Sequence, residues 1–91
     1  MTKLFEDYDD IINCTSIPED FREMFEATIG YDALDDYDYI VVTLEWLDVF
    51  NSAQEVRNVI ENHDGDVMVI CVSDYGGTII FGSPDDVIAE M

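Results

Sequence analysis

Positive charge is the scarcest property of this chain: Lys3, Arg22 and Arg57 are its only lysine and arginine residues, joined by a single histidine, His63. Against them stand 22 Asp and Glu, giving a formal net charge of −19 over 91 residues. Internal ion pairs can neutralise three of these carboxylates at most, and the others repel one another in any compact state. The shortage of base excludes DNA, RNA and anionic membranes as electrostatic ligands, because they are negative too. A basic protein surface is the complementary partner.

Cysteine is almost as scarce. Cys14 and Cys71 are far apart and form no repeated or close spacing, which excludes a disulfide framework. They read as small buried apolar residues in a reducing compartment. With one histidine and no paired cysteines, a structural zinc site is excluded as well. No apolar run approaches the ~20 residues a membrane helix needs. The opening MTKLFEDYDD turns acidic at once, where a secretory segment would begin basic and continue apolar, so a cytoplasmic location is expected.

What is present is enough to fold. Hydrophobic residues make up 48% and aromatic residues 12%, outside the low-hydrophobicity, high-charge composition of disordered chains. Residues 1–91 are expected to form one acidic domain with a modest core.

Between residues 2 and 13, Leu4, Phe5, Tyr8, Ile11 and Ile12 recur at three and four, predicting a helix with one apolar face. Ser16-Ile-Pro-Glu19 has the form of a capping box and predicts a second helix with the stripe Phe21, Met24, Phe25, Ile29, stopped by Gly30. Tyr39–Leu44 is a β-branched run that predicts a strand, and Glu45–Phe50 is ambiguous between strand and turn. Ser52-Ala-Gln-Glu55 predicts the start of another helix, burying Val56, Val59 and Ile60, with a turn at His63–Asp66. Val67–Val72 and Thr78–Phe81 predict an antiparallel hairpin across Ser-Asp-Tyr-Gly-Gly. Ser83-Pro-Asp-Asp86 opens a last short helix. The expected fold class is therefore α+β, a small, mostly antiparallel sheet packed with helices in the order α-α-β-α-β-β-α.

No constellation points to catalysis. An EF-hand needs glycine at its sixth place, but putting Gly30, Gly65 or Gly76 there puts Phe25, Ile60 or Cys71 at the first ligand position. Gly76-Gly77 lacks the lysine of a phosphate-binding loop. His63 suits the negative end of a helix in front of a turn better than the role of a general base. Carboxylate pairs are everywhere, so none is informative. Neither enzyme activity nor a cofactor or metal is expected.

The acids fall into rows. Glu6, Asp9 and Asp10 form one, and Glu19, Glu23 and Glu26 a second, with spacings of about 5 to 6 Å on a helix. Asp32, Asp35, Asp36 and Asp38 crowd the stretch YDALDDYDY, with Glu45 and Asp48 close behind. Any one such row is ordinarily a solvated face. Several of them in one small domain, almost without lysine, form a surface spaced like phosphates, with tyrosines offering flat amphipathic area between the charges. Tyr37 and Tyr39 have the alternative of packing against the sheet edge.

The runs FEDYDD, PEDFREMFE and YDALDDYDY, with the size and charge of the chain, resemble the DNA-mimic anti-defence proteins of bacteriophages. Within that group the character is most similar to the anti-restriction-endonuclease proteins of T-even phages. The resemblance implies a compact homodimer in the host cytoplasm. It also implies an inhibitor that competes with DNA for a basic host protein, a restriction endonuclease such as McrBC, with nucleoid proteins such as H-NS as further targets. The competing expectation is an acidic adaptor or antitoxin-like module that binds through an apolar patch including Trp46, Phe50 or Phe81.

Overall fold

The structure, a computed structural model, describes residues 1–30, 33–74 and 76–91, and the side chains of Ala33 and Asp35 fall outside that description. Its centre is a five-stranded, wholly antiparallel sheet of β1 (Thr2–Phe5), β2 (Tyr39–Val42), β3 (Leu47–Phe50), β4 (Val67–Ser73) and β5 (Gly76–Gly82), in the order β1-β5-β4-β2-β3. Helices α1 (Tyr8–Ile12) and α2 (Glu19–Thr28) cover one face, and α4 (Ala53–Ile60) and α5 (Pro84–Glu90) cover the other. The single turn α3 (Ala33–Asp36) leads into β2.

Covering both faces explains why the strand sequences are apolar without alternation. Ile40, Val42, Met68, Ile70 and Ile79 point to one core, with Phe5, Tyr8, Ile11, Phe21 and Phe25 from the first helices and β1. Val41, Val67, Val69 and Ile80 point to the other, with Val56, Ile60 and Val87 from α4 and α5. A continuous run such as Val67–Ile70 is the usual mark of a parallel sheet between helices, and here the same burial is reached in an antiparallel one.

The α+β class stands, but the element order differs from expectation. Residues 2–13 are not one helix: Thr2–Phe5 is an edge strand on β5, and only Tyr8–Ile12 is helical. The observed arrangement buries Phe5, Tyr8 and Ile11 and leaves Leu4 exposed, so an apolar spacing of three and four is shared between a strand and a helix. Gly77 allows this arrangement, because a Cβ there would fall on the Cys71 carbonyl oxygen and within 2.9 Å of the Phe5 ring.

Asp7 separates the two elements. Its side chain accepts the Asp10 N–H at 3.1 Å, and Asp10 Oδ2 accepts the N–H groups of Glu6 at 2.9 Å and Asp7 at 3.2 Å. This is a capping box built from two aspartates.

The box expected at Ser16 does not form. Pro18 is the N-cap without a side-chain bond, and its carbonyl takes the first helical N–H groups. Ser52 holds the N-cap position of α4, also without a side-chain bond, whereas Ser83 caps α5 by accepting the Asp86 N–H. The α2 helix stops at Thr28, before Gly30. Ile29 is extended and buried, and its carbonyl accepts the Tyr8 hydroxyl at 2.7 Å.

Glu45–Phe50 resolves into a turn and the edge strand β3. Thr43, buried, holds that turn: its Oγ1 accepts the N–H groups of Glu45 and Trp46 and donates to the Trp46 carbonyl.

Gly76 closes the β4–β5 hairpin at φ 110°, and a Cβ there would fall on the Phe5 carbonyl oxygen and within 2.8 Å of Glu6 Cα. Gly65 has the same φ of 110° with nothing within 4 Å. Gly65→Ala is therefore expected to lower stability by about 1–2 kcal/mol from backbone strain alone. Gly76→Ala adds the collision and is expected to cost about 3 kcal/mol or more. Urea unfolding of the two variants side by side checks this, and equal losses would mean that the contact with β1 is not as tight as described.

Candidate functional site: the acidic surface

Burial sorts the charge with no exception among the described residues. Asp32 lies outside them, as does the side chain of Asp35, and the other 20 of the 22 acidic side chains are all exposed. On α1, Tyr8 and Ile11 turn inward, leaving Asp9 and Asp10 outside with Glu6 just before the helix. On α2, Phe21 and Phe25 are inward, and Glu19, Glu23 and Glu26 form the outward row. The two rows approach each other where α2 ends. The Tyr8 phenol is held above its ordinary pKa by burial first, and then by the charges of Glu26 and Asp9.

The sheet brings together acids that are distant in sequence. Phe5 pairs with Gly77, Ser73 with Gly76, and Cys71 with Tyr39, so Glu6, Asp74 and Asp38 stand at the same end of neighbouring strands. Strand spacing sets Asp74 roughly 5 Å from Asp38, and Glu6 roughly 10 Å from Asp74 and roughly 15 Å from Asp38. Asp38 is fixed there by its carbonyl, which accepts the Val72 N–H at 2.8 Å, and Asp36 is exposed on α3. Glu45 sits on the β2–β3 turn. Asp48 is exposed on the β3 edge, where its Oδ1 accepts the Val49 N–H at 2.8 Å.

Sequence reasoning overlooked the opposite layer. Glu55 and Glu61 on α4 and its end, and Asp85, Asp86 and Glu90 on α5, are exposed as well, so both helical layers are acidic. The i,i+4 spacing of Asp86 and Glu90 was the signal that could have found them.

The few bases do little to offset this. Arg22 donates from Nε to the Ile17 carbonyl at 3.0 Å and from Nη1 to the Ile12 carbonyl at 3.1 Å, so its charge serves the carbonyl end of α1. Among the described residues no ion pair joins Lys3, Arg22 or Arg57 to a carboxylate; the N-terminal amine lies 3.9 Å from Glu90. Helices α1, α2 and α5 have no base in their last turn, although Glu26 and Glu90 lie there.

The other singled-out residues take structural positions. Tyr39 packs on the core beneath α4 and α5, and Tyr37 is half-buried beside Leu34, Asp38 and Val72. Trp46 and Phe50 belong to that same core, while Phe81 meets Phe21 edge-on at 5.1 Å in the core on the other face. The three aromatic residues therefore do not share a patch. His63 follows α4, with its ring edge-on to Trp46 at 5.9 Å. Cys14 and Cys71 are free, and burial raises the Cys71 thiol pKa. Among the described residues no group of three or more His, Cys, Asp or Glu is arranged to hold a metal ion, and no helix is long and apolar enough to cross a membrane.

No protein-family model, no curated protein sequence and no solved structure matches the chain.

Uncompensated charge has a direct consequence for stability. At about 0.01 M salt the screening length is about 30 Å, as long as the 29 Å molecule, and at about 0.15 M it is about 8 Å. The thermal midpoint is therefore expected to rise steadily as NaCl is increased from about 0.01 M to about 0.5 M. A midpoint that stays level or falls would show that the carboxylates do not repel as placed.

Tyr8 adds a dependence at high pH. Its phenol stays protonated in the fold to a higher pH than in the unfolded chain, so its contribution is complete below about pH 10 and is lost as pH rises through the folded value. Tyr8→Phe should cost about 1 kcal/mol at neutral pH by losing the bond to Ile29, and should flatten the alkaline fall in stability. Unfolding midpoints between about pH 8 and 11 test both parts.

Proposed function

We propose that the chain is a non-enzymatic DNA mimic that occupies the basic DNA-binding surface of a host protein and competes with DNA for it. The observation that carries this reading is charge density. A duplex has one charge per about 1.7 Å of axis, hence about 17 over a length equal to the 29 Å long dimension of this molecule, and the chain carries −19. The exposure of all 20 described acidic side chains supports it further, as does the lack of any ion pair from Lys3, Arg22 or Arg57 to a carboxylate among the described residues.

In this reading the acidic field steers the protein into a cleft lined with lysine and arginine, where carboxylates take the places of phosphates. Glu6, Asp9, Asp10, Glu19, Glu23 and Glu26 on the α1–α2 layer and Asp36, Asp38, Glu45 and Asp48 around β2 and β3 provide the contacts. Asp32 and Asp35 are assigned to the same surface by sequence alone. The targets that fit are restriction endonucleases and nucleoid proteins of the host cytoplasm, with McrBC and H-NS as the first two to try.

Fluorescence anisotropy of a labelled duplex bound to each of these proteins is the direct test. The chain is expected to displace the DNA at low salt and to lose this ability as salt is raised. The variant Glu19→Gln, Glu23→Gln, Glu26→Gln should retain its fold and compete roughly tenfold less well, at about 0.2–1 kcal/mol for each exposed charge pair. If these proteins retain their DNA at low salt, or if the triple variant competes as well as the wild type, the reading fails.

A further inference from the structure

The β1 edge of the sheet differs from the rest of the surface. The Met1 amine donates to the Phe81 carbonyl at 2.8 Å, and the Phe81 N–H donates to the Met1 carbonyl at 2.8 Å. Antiparallel alternation then makes Lys3 with Ile79 and Phe5 with Gly77 the next doubly bonded pairs, and turns the N–H and C=O groups of Thr2 and Leu4 outward. Leu4 is 79% exposed, the largest exposure among the exposed large apolar side chains. Residues 1–5 contain no carboxylate, whereas the opposite edge, β3, carries Asp48.

We propose that β1 pairs with β1 of a second copy, antiparallel about a twofold axis at Leu4, merging the two sheets into one. Charge selects this occupant. The strand starts positive, with the terminal amine and Lys3, and runs into Glu6, Asp7 and Asp10, so an antiparallel copy sets each basic start against the other's acidic end. The amine is already engaged by Glu90 at 3.9 Å, so Lys3 is the base that meets the partner's acids. Between two molecules of −19, an acid-free strand is where approach is least opposed.

Charge also selects the register. An axis at Lys3 would place the two lysines directly opposite each other, which is unfavourable. An axis at Leu4 exchanges a pair of N–H···O=C bonds between the two Leu4 residues, stacks their side chains on one face, and sets Lys3 beside the partner's Phe5, next to Glu6.

Sedimentation velocity of the full chain tests this independently of the proposed function, because salt should act in opposite directions. Binding to a basic target weakens with salt, but self-association is expected to strengthen from about 0.01 M to about 0.5 M NaCl as repulsion is screened. Leu4→Asp should keep the thermal midpoint, since Leu4 is exposed, and weaken the dimer about tenfold or more. On mild oxidation Leu4→Cys should cross-link, because paired residues there lie about 5.5 Å apart at Cα. Lys3→Cys should not, because its two copies lie about 8 Å apart, beyond disulfide reach. A monomer at every salt concentration overturns the proposal and leaves the edge free for a strand from another protein. A dimer indifferent to Leu4→Asp, or cross-linked equally at Lys3→Cys, overturns it as well.

Discussion

Mutual repulsion among carboxylates within a volume of 29 × 25 × 21 Å must be opposed by something other than ion pairing, since three bases cannot do it. Burial of apolar surface is the term that remains, and the sheet supplies it twice. Because helices cover both faces, consecutive residues of the central strands are buried at Ile40–Val42, Val67–Ile70 and Ile79–Ile80, and each of the two cores draws on the same backbone. A sheet with one wet face would have needed polar residues at alternate positions, and a chain of this length would then have kept less apolar area to hold its charges together. The two-sided core is thus the condition for so acidic an exterior.

Local structure is fitted to the same constraint. At the start of α1 the acceptors are aspartates, the reciprocal pair Asp7 and Asp10, so capping there adds to the surface charge. Where a helix end needs a donor, Arg22 provides it from within the fold, reaching the Ile12 and Ile17 carbonyls. That contact removes one of the few positive charges from the exterior. Glu90 at the end of α5 faces the N-terminal amine at 3.9 Å, whereas Glu26 lies in the last turn of α2, where the helix dipole disfavours it and no base offsets it.

Much of this was legible in the residues, and the misreadings have physical causes. The β-branched runs at 39–42 and 67–72, the glycine hairpin, and the Ser83-Pro84 helix start declare themselves through period, turn chemistry and capping. The first dozen residues misled because a strand contributing Phe5 and a helix contributing Tyr8 and Ile11 together imitate one helical stripe. Only the tertiary fit of Phe5 over Gly77 separates them. Ser16 looked like a cap because its spacing to Glu19 is right, yet the helix begins after Pro18. The acid rows on α1 and α2 could be read from spacing. The gathering of Glu6, Asp38 and Asp74 at one sheet end could not, because it depends on strand order.

Strand order also connects the two proposals. The sheet ends and helical layers carry the acids, and of the two edge strands β1 is the one without them, so a second chain can add there without covering the charged faces. A contact through a helical layer would instead bury carboxylates against carboxylates, at the cost of desolvating like charges. Growth across the sheet therefore extends an acidic surface while leaving its charge density nearly unchanged. The proposed function would draw on that property, since affinity for a basic cleft rises with the number of charges engaged together.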